Sequence, residues 1–134
     1  MEDATLPPLL PAEPLGAGLS CAQARETARA SLAGVDLPAA GVDDVLTVVT
    51  EMISNARRHG GGATAFQVTA RSGIVTVEVR DRSTVPPRIK PWAPNEPGGF
   101  GWRLVNQLAT TDVRIHNDGK TVTATLNAAQ TGRP

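Results

Sequence analysis

The chain has 134 residues, room for one compact domain and little more. Hydrophobic residues make up 40% of it, enough for a core, and 13 basic side chains balance 13 acidic ones, so no global field draws it to nucleic acid or to an anionic membrane. Cys21 is the single cysteine, so no intrachain disulfide forms and a reducing compartment is expected. No signal-peptide pattern opens the chain, and no apolar run approaches the roughly 20 residues of a bilayer span, so a cytoplasmic location is expected.

Residues 1–18 are rich in Pro, Ala, Leu and Gly without a clear period, and read as a tail or an edge strand. Ser20 is placed to cap a helix over Cys21–Leu32 that ends near Gly34. The strongest helical pattern runs from Gly41 to Arg58. Val42, Val45, Leu46, Val49, Met52, Ile53 and Ala56 fall on one arc at about 100° per residue. Glu51, Asn55 and His59 lie along one border of that arc, and Gly60, Gly61 and Gly62 end the helix. Phe66, Val68 and Ala70 then alternate with polar residues, Ser72-Gly73 turns the chain, and Val75, Val77 and Val79 alternate again, with Asp81 continuing their side. Five prolines between Thr84 and Pro97 exclude regular structure there, so about 83–98 reads as a long lid-like loop. Gly98, Gly99 and Gly101 precede a short helix predicted over Trp102–Ala109. A closing hairpin has Val113 and Ile115 on one strand, a turn at Asn117-Asp118-Gly119, and Val122, Ala124 and Leu126 on the other. These elements predict an α+β two-layer sandwich, a single domain over 19–128 with helices on one face of a mixed, mostly antiparallel sheet and a short tail at 129–134.

Several chemistries are excluded by spacing. Gly119-Lys120-Thr121 looks like the end of a phosphate-binding P-loop, but the required earlier glycine is Arg114 and the setting is a hairpin turn. Cys21, His59 and His116 are too few and too scattered for a zinc site, and no Gly-x-Ser-x-Gly elbow is present. Four pieces remain. Asn55 offers a neutral oxygen suited to Mg²⁺ beside substrate phosphates. Glu51, one turn earlier, can take a proton from an attacking hydroxyl or water, while the plain alternative makes both of them helix-border residues bonded to water or to neighbours. Asp81, an inward carboxylate at a strand end, needs donors, which backbone amides of a turn or an adenine amino group would supply. The glycines before the third helix let backbone amides approach a phosphate at its positive end, and the lid lies between them and Asp81. Arg58 and His59 can reach phosphates, although bases at a helix C-terminus commonly serve its dipole.

In this order, TEMISNARRHG, VEVRDRS and GGFGWRLVNQLA resemble the N-box and the two glycine boxes of the GHKL (Bergerat-fold) ATP-binding superfamily. The chain is similar to its small actinobacterial members related to anti-sigma-factor serine kinases, over about Ser20–Leu126. The resemblance implies Glu51 as general base, Asn55 as Mg²⁺ ligand, Asp81 as partner of the adenine amino group, and Gly99, Phe100 and Gly101 lining the phosphates; Arg58, at the end of the same helix, is read as a further nucleotide-binding residue. Three positions depart from the pattern: Ser83 stands where a glycine is usual, Trp102 where a leucine is usual, and Lys120 intervenes between Gly119 and Thr121. The resemblance implies ATP and Mg²⁺ as cofactors, and a serine/threonine kinase that modifies a STAS-type anti-anti-sigma partner and holds a sigma factor, as a homodimer. The alternative expectation is a non-catalytic, ATP-gated binding module.

Overall fold

The computed structural model describes residues 10–11, 18–87 and 99–130. Most of the predicted lid, with Lys90 and Trp92, and most of the two predicted tails lie outside the described residues. The elements are β1 (Leu10–Pro11), α1 (Cys21–Leu32), α2 (Ala39–His59), β2 (Ala63–Arg71), β3 (Ile74–Asp81), α3 (Gly99–Leu108), β4 (Thr110–His116) and β5 (Gly119–Asn127). The strands form one sheet in the order β1-β2-β3-β5-β4, every neighbouring pair antiparallel. Among the described residues the parallel pairing is an isolated bridge between Gly18 and Ala63. β1 lies on the β2 edge, Leu10 opposite Phe66, so part of the N-terminal segment adds a strand.

Local sequence explains the ends of the helices. Ser20 caps α1 reciprocally: its hydroxyl accepts from the Gln23 amide at 3.1 Å, and the Ser20 amide donates to Gln23 Oε1 at 2.9 Å. α2 starts after Pro38, whose fixed φ suits the entry, and its last turn carries Arg57, Arg58 and His59 at the negative end of the dipole. The amides of Gly60 and Gly62 both donate to the Ala56 carbonyl, at 2.9 and 2.8 Å, and close that end. α3 begins at Gly99, three residues before the predicted start at Trp102, because the glycines form its first turn instead of a loop ahead of it. Asn106 ties α3 to the next strand, donating to the Trp102 carbonyl at 2.8 Å and accepting from the Thr111 hydroxyl at 2.7 Å.

The core lies between the helices and one face of the sheet. Val45, Val48, Val49 and Ile53 from α2, Val75 and Val77 from β3 and Val105 from α3 are fully buried there. α1 packs on α2 and β2, and its Ala24 and Ala28 are fully buried, their small side chains letting the elements approach closely. The register sets the directions of the side chains in the centre of the sheet: Val75, Val77, Val79 and Asp81 of β3 stand opposite Leu126, Ala124, Val122 and Lys120 of β5. Because side chains alternate across a strand, Asp81 and Lys120 point to the helix-covered side together with the valines. Thr76, Glu78, Thr123 and Thr125 alternate with them and lie half-buried on the other face.

Candidate functional site

At the end of this core where α2, β3, β5 and α3 converge, the packing leaves a cavity of about 310 Å³. Its walls are apolar where Met52, Ala56, Val79, Trp102 and Val122 face it, and polar where Asn55, His59, Asp81, Ser83 and Lys120 reach in. Val85, Pro86 and Pro87, the first part of the predicted lid, also line it. A cavity with apolar walls and a few convergent polar groups is the usual form of a small-molecule site.

The polar end is built on a buried ion pair. Lys120 Nζ donates to Asp81 Oδ1 at 3.0 Å, and both side chains are only 5% exposed. The same oxygen accepts from the Ser83 amide at 2.8 Å, so Asp81 also closes the turn that follows its strand. Gly60, just past α2, fixes the carboxylate from the other side. A Cβ at that position would overlap Asp81, and the Gly60 carbonyl accepts from the Arg82 amide at 3.3 Å. Strand register, glycine contact and turn together leave Asp81 little freedom to rotate.

The phosphate end expected from the sequence is marked by Glu51. Its half-buried carboxylate lies against the first turn of α3, where a Cβ on Gly101 would overlap Oε1. Glycine at 101 is therefore a requirement of close approach, and it brings the candidate base to the N-terminal end of a helix, whose unpaired amides and dipole favour anions. Thr50, beside Glu51, anchors this part of α2 to α1: Arg25 Nη1 donates to its hydroxyl at 3.2 Å, and that hydroxyl donates to the Leu46 carbonyl at 2.8 Å.

Asn55 and Asp81 thus line one cavity, while Glu51 sits beside the start of α3 and is not among the residues lining that cavity. Arg58 is exposed on the last turn of α2 and does not line the cavity, whereas His59 does. Gly99 and Phe100 are the first two residues of α3. Sequence reasoning missed Lys120 as a site residue, treating it as an interruption before Thr121. The signal was present: counting back by two from Val122 puts Lys120 on the buried side. Thr121 faces the other way, where its hydroxyl meets His116 Nε2 at 2.8 Å and accepts from Arg80 Nε at 3.3 Å.

Among the described residues no group of three or more His, Cys, Asp and Glu side chains could hold a metal ion. A cation beside Asn55 would therefore complete its shell with water and with oxygens of a bound phosphate chain, which is how Mg²⁺ is usually held with nucleotides. The residues present fit a Mg²⁺-nucleotide in that sense: apolar walls for a base, a fixed carboxylate at its far end, and Asn55 and a helix N-terminus towards the phosphates. Among the described residues no helix is long and apolar enough to cross a membrane.

A protein-family model described as a histidine kinase-like ATPase domain matches residues 18–126. No curated protein matches the sequence. Among solved structures, the chain resembles the histidine kinase domain from the Erythrobacter litoralis EL346 blue-light activated histidine kinase, with a TM-score of 0.54 and 22% identity over 83% of this chain and 66% of that one. It also resembles the Erythrobacter litoralis EL346 blue-light activated histidine kinase, with a TM-score of 0.52 and 25% identity over 72% of this chain and 33% of that one. The chain thus spans about two thirds of the first structure and one third of the second. The first likeness supports the α+β fold, with helices against an antiparallel sheet.

Proposed function

Because the chain belongs to the family of histidine kinase-like ATPase domains, we propose that it binds Mg²⁺-ATP in the cavity between α2, β3, β5 and α3. We further propose that it uses the nucleotide to phosphorylate a serine or threonine on a STAS-type anti-anti-sigma partner, and that it holds a sigma factor while that partner is modified. ATP brings the transferable phosphoryl group, and Mg²⁺ neutralises its charge. Asp81 takes the exocyclic amino group of the base, the apolar walls formed by Met52, Val79 and Trp102 take its faces, and Asn55 orients the cation. Glu51 accepts the proton of the attacking hydroxyl.

The observation that carries the reading is the position of Glu51. Nucleotide binding alone needs Asn55, whereas a carboxylate one turn earlier, seated against the first turn of α3, supports a further role as base. Calorimetric titration of ATP with and without Mg²⁺ tests the site: Mg²⁺-dependent binding is expected in the wild type and its loss in Asn55→Ala. Transfer from labelled ATP to a candidate partner tests the chemistry. Glu51→Ala is expected to keep nucleotide affinity and lose about a hundred-fold or more in transfer rate, and a variant as fast as wild type removes Glu51 from the mechanism.

One observation favours a second reading, an ATP-gated binding module without turnover: Glu51 does not line the cavity in this conformation. That reading predicts ATP-dependent capture of a partner with no phosphoryl transfer.

A further inference from the structure

We propose that Lys120 reads the nucleobase, donating from its ammonium group to N1 of adenine while Asp81 accepts from the exocyclic amino group of the same base. This rests on the nucleotide-binding reading above and adds the residue that distinguishes one purine from another.

Lys120 has an unusual position for a lysine. Its side chain is 5% exposed, it lines the cavity, and strand register puts it directly opposite Asp81. Lysine is rarely so buried without a specific partner. Asp81 supplies one, at 3.0 Å, but an ammonium carries three donors and that bond takes one of them. Val79 and Val122, its neighbours on the same face of the sheet, have apolar side chains and line the cavity with it. A buried ammonium that lines a cavity with donors to spare favours a ligand that brings an acceptor to it.

Asp81 supplies the other half of the pattern. Oδ1 already accepts from Lys120 and from the Ser83 amide, while a carboxylate has acceptor sites on both oxygens. Gly60 holds the group in place, so the acceptor and the ammonium donor stay side by side. Adenine presents the complement on one edge, an amino donor next to the ring acceptor N1. Guanine presents the reverse order, an exocyclic acceptor next to a ring donor. The pair therefore gives the pocket a direction that a lone carboxylate lacks.

The test is binding of four nucleotides to the full chain in the presence of Mg²⁺: ATP, 1-deaza-ATP, 7-deaza-ATP and GTP. Removing N1 is expected to weaken binding about ten-fold or more, the usual size of one hydrogen bond from a charged donor. Removing N7 leaves affinity close to that of ATP, and GTP binds more weakly than ATP. In Lys120→Met the distinction between ATP and 1-deaza-ATP disappears. Should that variant fail to fold, Asp81→Asn/Lys120→Met, which keeps the position neutral, carries the same comparison. Equal binding of ATP and 1-deaza-ATP by the wild type overturns the proposal and leaves the nucleotide site standing, as does tighter binding of GTP than ATP. Failure of all four nucleotides to bind overturns the nucleotide-binding reading itself.

Discussion

A single added methyl group separates two properties of Glu51. Gly101→Ala places a Cβ where Oε1 of Glu51 lies, so either the carboxylate swings away or the start of α3 shifts. The proposed base-binding end of the cavity lies elsewhere, at the Asp81–Lys120 ion pair. The variant should therefore lose about ten-fold or more in phosphoryl transfer, because displacement of a reacting group by an ångström is costly. Its affinity for ATP should change far less, and the comparison of single-turnover rate with calorimetric affinity checks this. Asp81→Asn probes the opposite end. It strands the Lys120 ammonium, 5% exposed, without its carboxylate. Breaking a buried pair from one side costs about 3 kcal/mol or more, whereas replacing both charges by neutral groups of similar size is often near neutral. Urea unfolding should show Asp81→Asn well below wild type and Asp81→Asn/Lys120→Met recovering most of the loss, a non-additivity expected only of groups in contact.

At the scale of elements, α2 carries both the core and the site, and the two tasks fall on neighbouring faces. Ile53 is fully buried between Glu51 and Asn55 in the sequence, so shortening it to alanine should cost about 3 kcal/mol through lost burial and the cavity left behind. The same change loosens the floor under both site residues, and thermal unfolding with and without Mg²⁺-ATP would register it as a lower midpoint in each condition. Much of this element was legible from sequence: the apolar arc, the polar border at Glu51 and Asn55, and the glycine stop all follow from a 3.6-residue period. The turn of the following hairpin was legible too, and it holds Ser72 at φ 52° and Gly73 at φ 80°, the left-handed pair a two-residue hairpin turn needs. Three features did not follow from pattern. α3 starts earlier than predicted because three glycines read as a loop when tertiary packing is unknown. The contact of Glu51 with Gly101 joins residues far apart in the chain, and no local period encodes it. The pairing of Lys120 with Asp81 depends on which strand lies beside β3, a fact of topology that alternation within one strand cannot supply.

For the whole molecule, the site is a junction and not the property of any one segment. α2 contributes Asn55 and Glu51, β3 Asp81, α3 Trp102 and the glycine contact, and β5 Lys120. A ligand bound across such a junction stabilises all of its walls together, by about 2.7 kcal/mol when its concentration is a hundred times its dissociation constant. Mg²⁺-ATP should accordingly raise the unfolding temperature of the wild type and leave that of Asn55→Ala nearly unmoved, which differential scanning calorimetry would detect.

The strand order has a kinetic consequence. β3 and β5 are neighbours in the sheet but not in the chain, and Asp81 and Lys120 are 39 residues apart. The hairpins β2–β3 and β4–β5 close over short loops and can form early, whereas joining them must first overcome the entropy of the long intervening segment. The ion pair at the head of the cavity therefore belongs among the last contacts made. Lys120→Met should speed unfolding and leave the refolding rate almost unchanged, the signature of an interaction absent from the transition state. In a cell, a chain still emerging from the ribosome would hold both hairpins' precursors and yet lack the cavity between α2, β3, β5 and α3 until β5 is released, so the cavity arrives at once with the completed sheet.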